Sequence, residues 1–275
     1  MVMKRKIMNK ILLGIIAWLI SLIILAPVYL LIINSLKDRT AASLMALTPP
    51  EVFHWENYLT AIKEGRLVRS FLNSMLLAGS SAIINVFTAS MAAFVLSRRR
   101  SRINKAIYYF FLIGLVAPLN YITVIRTLQV FNIMGSYQGF IALYSGWLMP
   151  FGVFLYYGFI STIPRELDEA AIIDGCNSFT LFFKVIFPLL KPVTITLLIL
   201  NFMNAWNDFQ TPLYILNRST RWPMTLAVYN FYGQRLADWQ LVSATIVLTV
   251  VPVVIIFIIG QRYIISGMTS GAVKG

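Results

Sequence analysis

Residues 161–192 read STIPRELDEAAIIDGCNSFTLFFKVIFPLLKP. The stretch is a polar, helix-forming island set between long apolar segments. Within it, PRELDEAAIIDG (164–175) reads as a short helix with marked ends. Pro164 suits a first helical turn, where its missing N–H costs nothing. Glu166, Asp168 and Glu169 put negative charge at the positive end of the helix dipole. Ala170 and Ala171 are strong helix formers of small bulk. Gly175 is a natural stop because it adopts the left-handed conformation at a helix end. Asn177 or Ser178 then caps a second helix over 179–187 that halts near Pro188. The expected product is a helix–turn–helix elbow over residues 161–188. Two questions follow: which side of a membrane it occupies, and what it touches.

The membrane follows from composition. Of 275 residues, 59% are hydrophobic and only 12% are charged, against about 25% charged in soluble domains. Cys176 is the single cysteine and His54 the single histidine. A disulfide within one chain, a cysteine-based metal cluster and a histidine-rich metal site are therefore excluded. The net charge of +13 is explained by basic cytoplasmic loops facing anionic lipid better than by a nucleic acid partner.

Outward from the elbow, the sequence predicts six transmembrane helices, at approximately 11–33, 70–96, 106–125, 139–160, 189–207 and 241–260. The first follows Lys4, Arg5, Lys6 and Lys10, is far longer than the apolar part of a signal peptide, and precedes no small-x-small cleavage site. It reads as a retained span with a kink at Pro27. The segment 34–69 has nearly balanced charge, as expected of an exported loop, with Phe53, Trp55 and Tyr58 suited to the interface. The second span is rich in small residues (Ala78, Gly79, Ser80, Ser81, Ala82), which let backbones approach, and its Asn73 and Asn85 need partners. Next come Arg98, Arg99, Arg100, Arg102 and Lys105 with no acidic residue among them, which places this loop in the cytoplasm. By alternation the elbow and both termini share that side. Gly146, Pro150 and Gly152 should bend the fourth span. The expected fold is an all-α integral membrane protein: one transmembrane domain over 1–275, six spans, a cytoplasmic elbow, and cytoplasmic N and C termini.

A small, acidic and apolar elbow suits a groove on a soluble partner, and it equally suits a plain connection between two spans. A resemblance separates these readings. Glu169-Ala170-Ala171, three residues, Gly175, nine residues, then Val185-Ile186-Phe187-Pro188 is similar to the EAA motif of ATP-binding-cassette (ABC) importer permeases. The chain departs from that pattern only at Val185, for Ile, and Phe187, for Leu. Trp206-Asn207-Asp208-Phe209, the tail from Gln261 to Gly275, and Pro49-Pro50-Glu51 with Glu56-Asn57-Tyr58 resemble the maltose-type sugar permeases, specifically the smaller six-span partner of a pair.

The resemblance implies a half-channel in a bacterial or archaeal cytoplasmic membrane. The elbow becomes a coupling helix held in a cleft of a cytoplasmic ATPase, with Glu169, Ala170, Ala171, Asp174 and Gly175 as its coupling residues. The implied partners are a second homologous permease subunit, two ATPase subunits, an extracytoplasmic solute-binding protein, membrane lipid and a sugar. ATP and Mg would be bound by the ATPase and no cofactor by this chain. The sequence has no phosphate-binding loop of the G-x-x-x-x-G-K-[ST] kind, so it is expected to be neither the ATPase nor any other enzyme.

Asn201, Asn204 and Asn207, with Trp206, form a candidate substrate path in the outer half of the fifth span. Amides there serve either a sugar's hydroxyls or hydrogen bonds between helices. The competing function is a stand-alone secondary transporter. That class usually carries ionisable groups inside its spans, and the central portions of these spans carry none.

Overall fold

The computed structural model describes residues 2–99, 101–232 and 238–272, and every regular element in it is a helix. In order these are α1 (Val2–Ser35), α2 (Arg39–Ser43), α3 (Glu56–Glu64), α4 (Leu67–Arg98), α5 (Arg102–Gly114), α6 (Tyr121–Val130), α7 (Tyr137–Trp147) and α8 (Met149–Ile160). They continue as α9 (Glu166–Ile173), α10 (Ser178–Thr180), a π-helical turn (Leu181–Ile186), α11 (Phe187–Leu189), α12 (Lys191–Asn207), α13 (Gln210–Ile215), α14 (Met224–Ala227) and α15 (Trp239–Ala272). The described residues fall into two compact units, one within Met1–Val68 and Ala227–Val251, the other within Arg69–Leu226 and Pro252–Gly275.

In the first unit, α1 contains the whole expected first span, with Pro27 inside it. The segment after it, expected only as a loop, is folded around the helix end. Asn57 Nδ2 donates to the carbonyls of Ser35 and Lys37, both at 2.9 Å, and so satisfies acceptors that a helix C-terminus leaves open. The hydroxyls of Ser35 and Tyr58 meet at 2.7 Å. Lys37 is buried, and its Nζ donates to Asn34 Oδ1 at 3.0 Å and to the Ala46 carbonyl at 2.7 Å. Burial lowers its pKa from the ordinary lysine value. Asn57 and Tyr58 belong to the Glu56-Asn57-Tyr58 stretch singled out in the sequence, and this clasp is the physical use of those two residues.

The second unit is built on close helix approach. Ala78, Ala82, Ala89 and Ala93 form a buried stripe on α4. A Cβ on Gly152 of α8 would lie 2.7 Å from Ala89 Cβ and 2.9 Å from Asn85 Oδ1, so only glycine permits this crossing. Likewise a Cβ on Gly114 of α5 would lie 2.8 Å from Pro150 Cγ. Both asparagines of α4 find the partners the sequence called for. Asn73 Nδ2 donates to the carbonyls of Thr220 and Trp222 while its Oδ1 accepts from Tyr137.

Three helices are long and apolar enough to cross a membrane, and two bent pairs raise this to five, among the described residues. The third expected span, 106–125, is not one helix. It divides into α5 and α6, because Pro118 has no N–H and disfavours a helical residue before it. Asn120 then caps the new helix, its Oδ1 accepting from the Thr123 amide at 3.1 Å. The fourth span is bent by 43° between α7 and α8, where Pro150 opens the second helix. The fifth expected span, 189–207, corresponds to α12, which begins at Lys191 with Pro192 in its first turn and meets the helical run ending at Leu189, the second limb of the elbow, at 79°. The last helix, α15, continues past the expected boundary at 260 as far as Ala272.

Candidate functional site

The elbow consists of α9, the turn at Gly175, and the run α10–π turn–α11. Helix α9 starts at Glu166, two residues later than Pro164 suggested, with Arg165 before it and Glu166, Asp168 and Glu169 in its first turn. Its end is a Schellman closure. The Cys176 amide donates to the Ala171 carbonyl at 2.9 Å and the Gly175 amide to Ile172 at 3.0 Å, with Gly175 at φ +82°. The Ala-x-x-x-Gly spacing therefore has a geometric basis: Ala171 supplies the carbonyl that the residue after Gly175 must reach. Asn177 then caps the second helix, its Oδ1 accepting from the Thr180 amide at 2.9 Å. The next turn is π-helical. It ends where Phe187 donates to Phe182, one residue before Pro188, which has no N–H to give.

This geometry sorts the elbow into two faces. Ala171, Leu181, Phe182 and Ile186 are buried in one cluster with Ala93 and Leu96 of α4, Tyr156 and Ile160 of α8, and Val193 of α12. Glu169, Ala170, Asp174 and Gly175 are all exposed. Beside them stand three large apolar side chains, Ile172, Ile173 and Phe179, of which Ile173 is 85% exposed. The structure thus leaves four of the five expected coupling residues exposed. The fifth, Ala171, faces the core, where its small size lets α9 lie close.

One pair escaped the sequence reading. Arg98, the last residue of α4, reaches the first turn of α9. Its Nη2 donates to Asp168 Oδ1 at 3.1 Å and its Nη1 to the Ile163 carbonyl at 3.1 Å. Nε lies 2.6 Å from Asp168 Oδ2, close enough for an ion pair although its N–H is poorly aligned as a hydrogen bond. The two side chains are only 12% and 13% exposed. Arg98 had been read for topology and Asp168 for the helix dipole. The available hint was an acid in the elbow facing a loop with an excess of arginines.

The substrate-path residues separate as well. Asn201 is fully buried and donates to Asn85 Oδ1 at 2.8 Å, while Asn85 Nδ2 donates to the Ser145 carbonyl at 3.0 Å. These bonds tie α4, α7 and α12 together. Trp206 is also buried, edge-on to Phe71 and stacked on Phe202. Asn204 and Asn207 are exposed. Asn204 lines a cleft of 320 Å³ together with Tyr144, Trp147 and Pro150, and its own carbonyl accepts from the Tyr144 hydroxyl at 3.0 Å. Asp208, just beyond, accepts the Thr211 amide at 3.0 Å and acts as a cap. Groups of three or more acidic, histidine or cysteine side chains able to hold a metal do not occur among the described residues.

Helices long and apolar enough to cross a membrane, together with a polar and partly exposed elbow, fit a membrane-embedded protein. Residues 84–270 match the family described as the binding-protein-dependent transport system inner membrane component, and the chain belongs to that family. It is 36% identical over 253 residues to the melibiose/raffinose/stachyose import permease protein MelC of Bacillus subtilis, covering 90% of this chain and 91% of that one. It is 31% identical over 274 residues to the probable starch degradation products transport system permease protein AmyC of Thermoanaerobacterium thermosulfurigenes, covering 99% and 100%. A chain from the crystal structure of a bacterial ABC transporter involved in the import of the acidic polysaccharide alginate has the same fold. Its TM-score is 0.80 at 19% identity, over 94% of this chain and 95% of that one.

Proposed function

We propose that this chain is one permease subunit of a sugar importer, a single permease domain of six spans in a bacterial or archaeal cytoplasmic membrane. In this reading α5 and α6 together form the third span, and the elbow and both termini are cytoplasmic. It works with a second homologous permease, two ATPase subunits that bind ATP and Mg, and an extracytoplasmic solute-binding protein. It binds no cofactor and catalyses no reaction itself. The sugar class rests on relatives named for oligosaccharide and starch-product transport.

The observation that carries the reading is the open face of the elbow. Ile172, Ile173 and Phe179 are apolar and exposed beside Glu169 and Asp174, a surface suited to a cleft in a soluble subunit rather than to water alone. Its other face is rigidly packed among α4, α8 and α12. Closure of the ATPase pair would move the elbow, and the elbow would move those helices, which is alternating access driven through rigid elements. Asn204 and Asn207 are the polar groups placed to meet a sugar. Asn201 and Trp206 hold the helix that presents them.

Gly175→Val tests this. Nothing lies within 4 Å of a Cβ at that position, so the substitution acts through backbone conformation alone. A β-branched residue at φ +82° must leave the left-handed region and re-aim the elbow. Uptake by membranes containing normal amounts of the variant should be abolished. Unchanged uptake would remove the elbow from the mechanism.

A further inference from the structure

Beside the elbow lies a second concave site, of 520 Å³, that the transport reading does not use. Its walls come from the end of α4, the start of α5, and the connection between α8 and α9. Arg98, Arg99, Arg102, Lys105 and Arg165 line it, with no aspartate or glutamate among the lining residues. Arg98 is neutralised by Asp168. Among the described residues, Arg99, Arg102, Lys105 and Arg165 have no acidic partner, and Arg165 donates to the Ser97 carbonyl at 3.4 Å, so four cations without an ion pair line one cavity. Its floor is the stacked pair Tyr108–Tyr157, with ring centroids 3.9 Å apart.

We infer that this cavity is a binding site for a phosphate-bearing anion. Fully hydrated, scattered cations explain a topology-setting loop. They do not require a cavity with an aromatic floor whose lining residues include four cations without an acidic partner. Guanidinium groups match phosphate oxygens in geometry as well as in charge. Two sources carry this chemistry, a phospholipid headgroup and soluble phosphate. The helix that carries the site favours lipid. Ile103, Ile107 and Phe110 of α5 are exposed and apolar, so the helix bearing Arg102 and Lys105 is one that a bilayer surrounds, and a phospholipid headgroup is the phosphate nearest to the cavity. Arg165 stands at the start of α9, so an occupied site would tie the first turn of the elbow to α5. The inference needs the membrane location of the chain but not its transported solute.

The test is native mass spectrometry of the full chain, purified in mild detergent with whatever subunits accompany it. It is titrated with phosphatidylglycerol, phosphatidylcholine and inorganic phosphate, and read independently of uptake. Phosphatidylglycerol should be retained over phosphatidylcholine. At about fivefold per cation, Arg102→Gln with Lys105→Gln should weaken retention about 25-fold. The charge-keeping pair Arg102→Lys with Lys105→Arg should retain lipid, as should Arg126→Gln, which removes an exposed cation elsewhere. Displacement of the lipid by millimolar inorganic phosphate would make soluble phosphate a source too, and its absence would assign the site to lipid. If the double variant aggregates, Lys105→Gln alone gives the reading, because among the described residues its ammonium makes a contact with the Tyr109 ring but no ion pair, with about a fivefold loss expected. Equal retention of the two lipids together with no phosphate binding would overturn the inference. So would retention unchanged by loss of the charges.

Discussion

Asp168→Asn is the perturbation whose effect can be worked furthest from the structure. It removes the charge opposite Arg98 and leaves a guanidinium, 12% exposed, with only neutral acceptors, the substituted amide oxygen and the Ile163 carbonyl. Breaking a buried pair by removing one partner costs about 3–5 kcal/mol, and the residual exposure here places the cost at the low end. Three kcal/mol corresponds to about a hundredfold shift between the docked and undocked first turn of α9. The elbow should not unfold, because Ala171, Leu181, Phe182 and Ile186 still anchor it. What is lost is the fixed angle of α9, and with it the outward face. Uptake at matched membrane levels should fall at least tenfold while the chain remains folded. The pair also predicts its own rescue. Arg98→Met with Asp168→Leu removes both charges, and well-packed apolar replacements of a buried pair are often neutral. The double variant should therefore transport better than either single one. Uptake within twofold of wild type for Asp168→Asn, or a double variant no better than the singles, would refute the reasoning.

Further outcomes follow from the helix contacts. Gly152→Ala should lower the detergent melting temperature, an overpacking cost of about 1–3 kcal/mol, while Gly158→Ala, with nothing within 4 Å of its Cβ, should leave it unchanged. Asn85→Ala and Asn201→Ala should be non-additive in stability, with a coupling of about 0.6–1.7 kcal/mol, measured by unfolding in mixed micelles. Asn204→Ala should change the concentration dependence of uptake with no change in melting temperature, whereas Asn201→Ala should lower the melting temperature.

Local chemistry is what the sequence made legible. Helix ends at Gly175 and Asn177, the bend near Pro150, and the need for partners at Asn73 and Asn85 all follow from single residues or short spacings, and the structure contains each of them. The motif around Glu169 was legible through its resemblance to a family pattern, and the structure adds that its Ala-x-x-x-Gly spacing is a local closure. Contacts between distant residues were not legible. Arg98 and Asp168 are 70 residues apart, and each carries a sufficient local explanation that hides the other. Asn201 and Asn204 share a helical face in sequence, yet one meets Asn85 and the other a cleft, because the neighbouring helices decide which part of α12 is covered. The third span was read as continuous since its apolar run outweighed Pro118, but backbone geometry at a proline is indifferent to hydropathy. The π-helical turn before Pro188 had no sequence mark beyond the proline itself.

In the proposed assembly the exposed side of the elbow is held by the ATPase. A photo-reactive amino acid at position 173, replacing the 85% exposed Ile173, tests it directly in living cells, with Phe53 of the segment after α1, 54% exposed, as the comparison site. Position 173 should form an adduct with an ATP-binding subunit identified by peptide mass, and position 53 should form none. An ATPase adduct from position 53 with none from position 173 would contradict it.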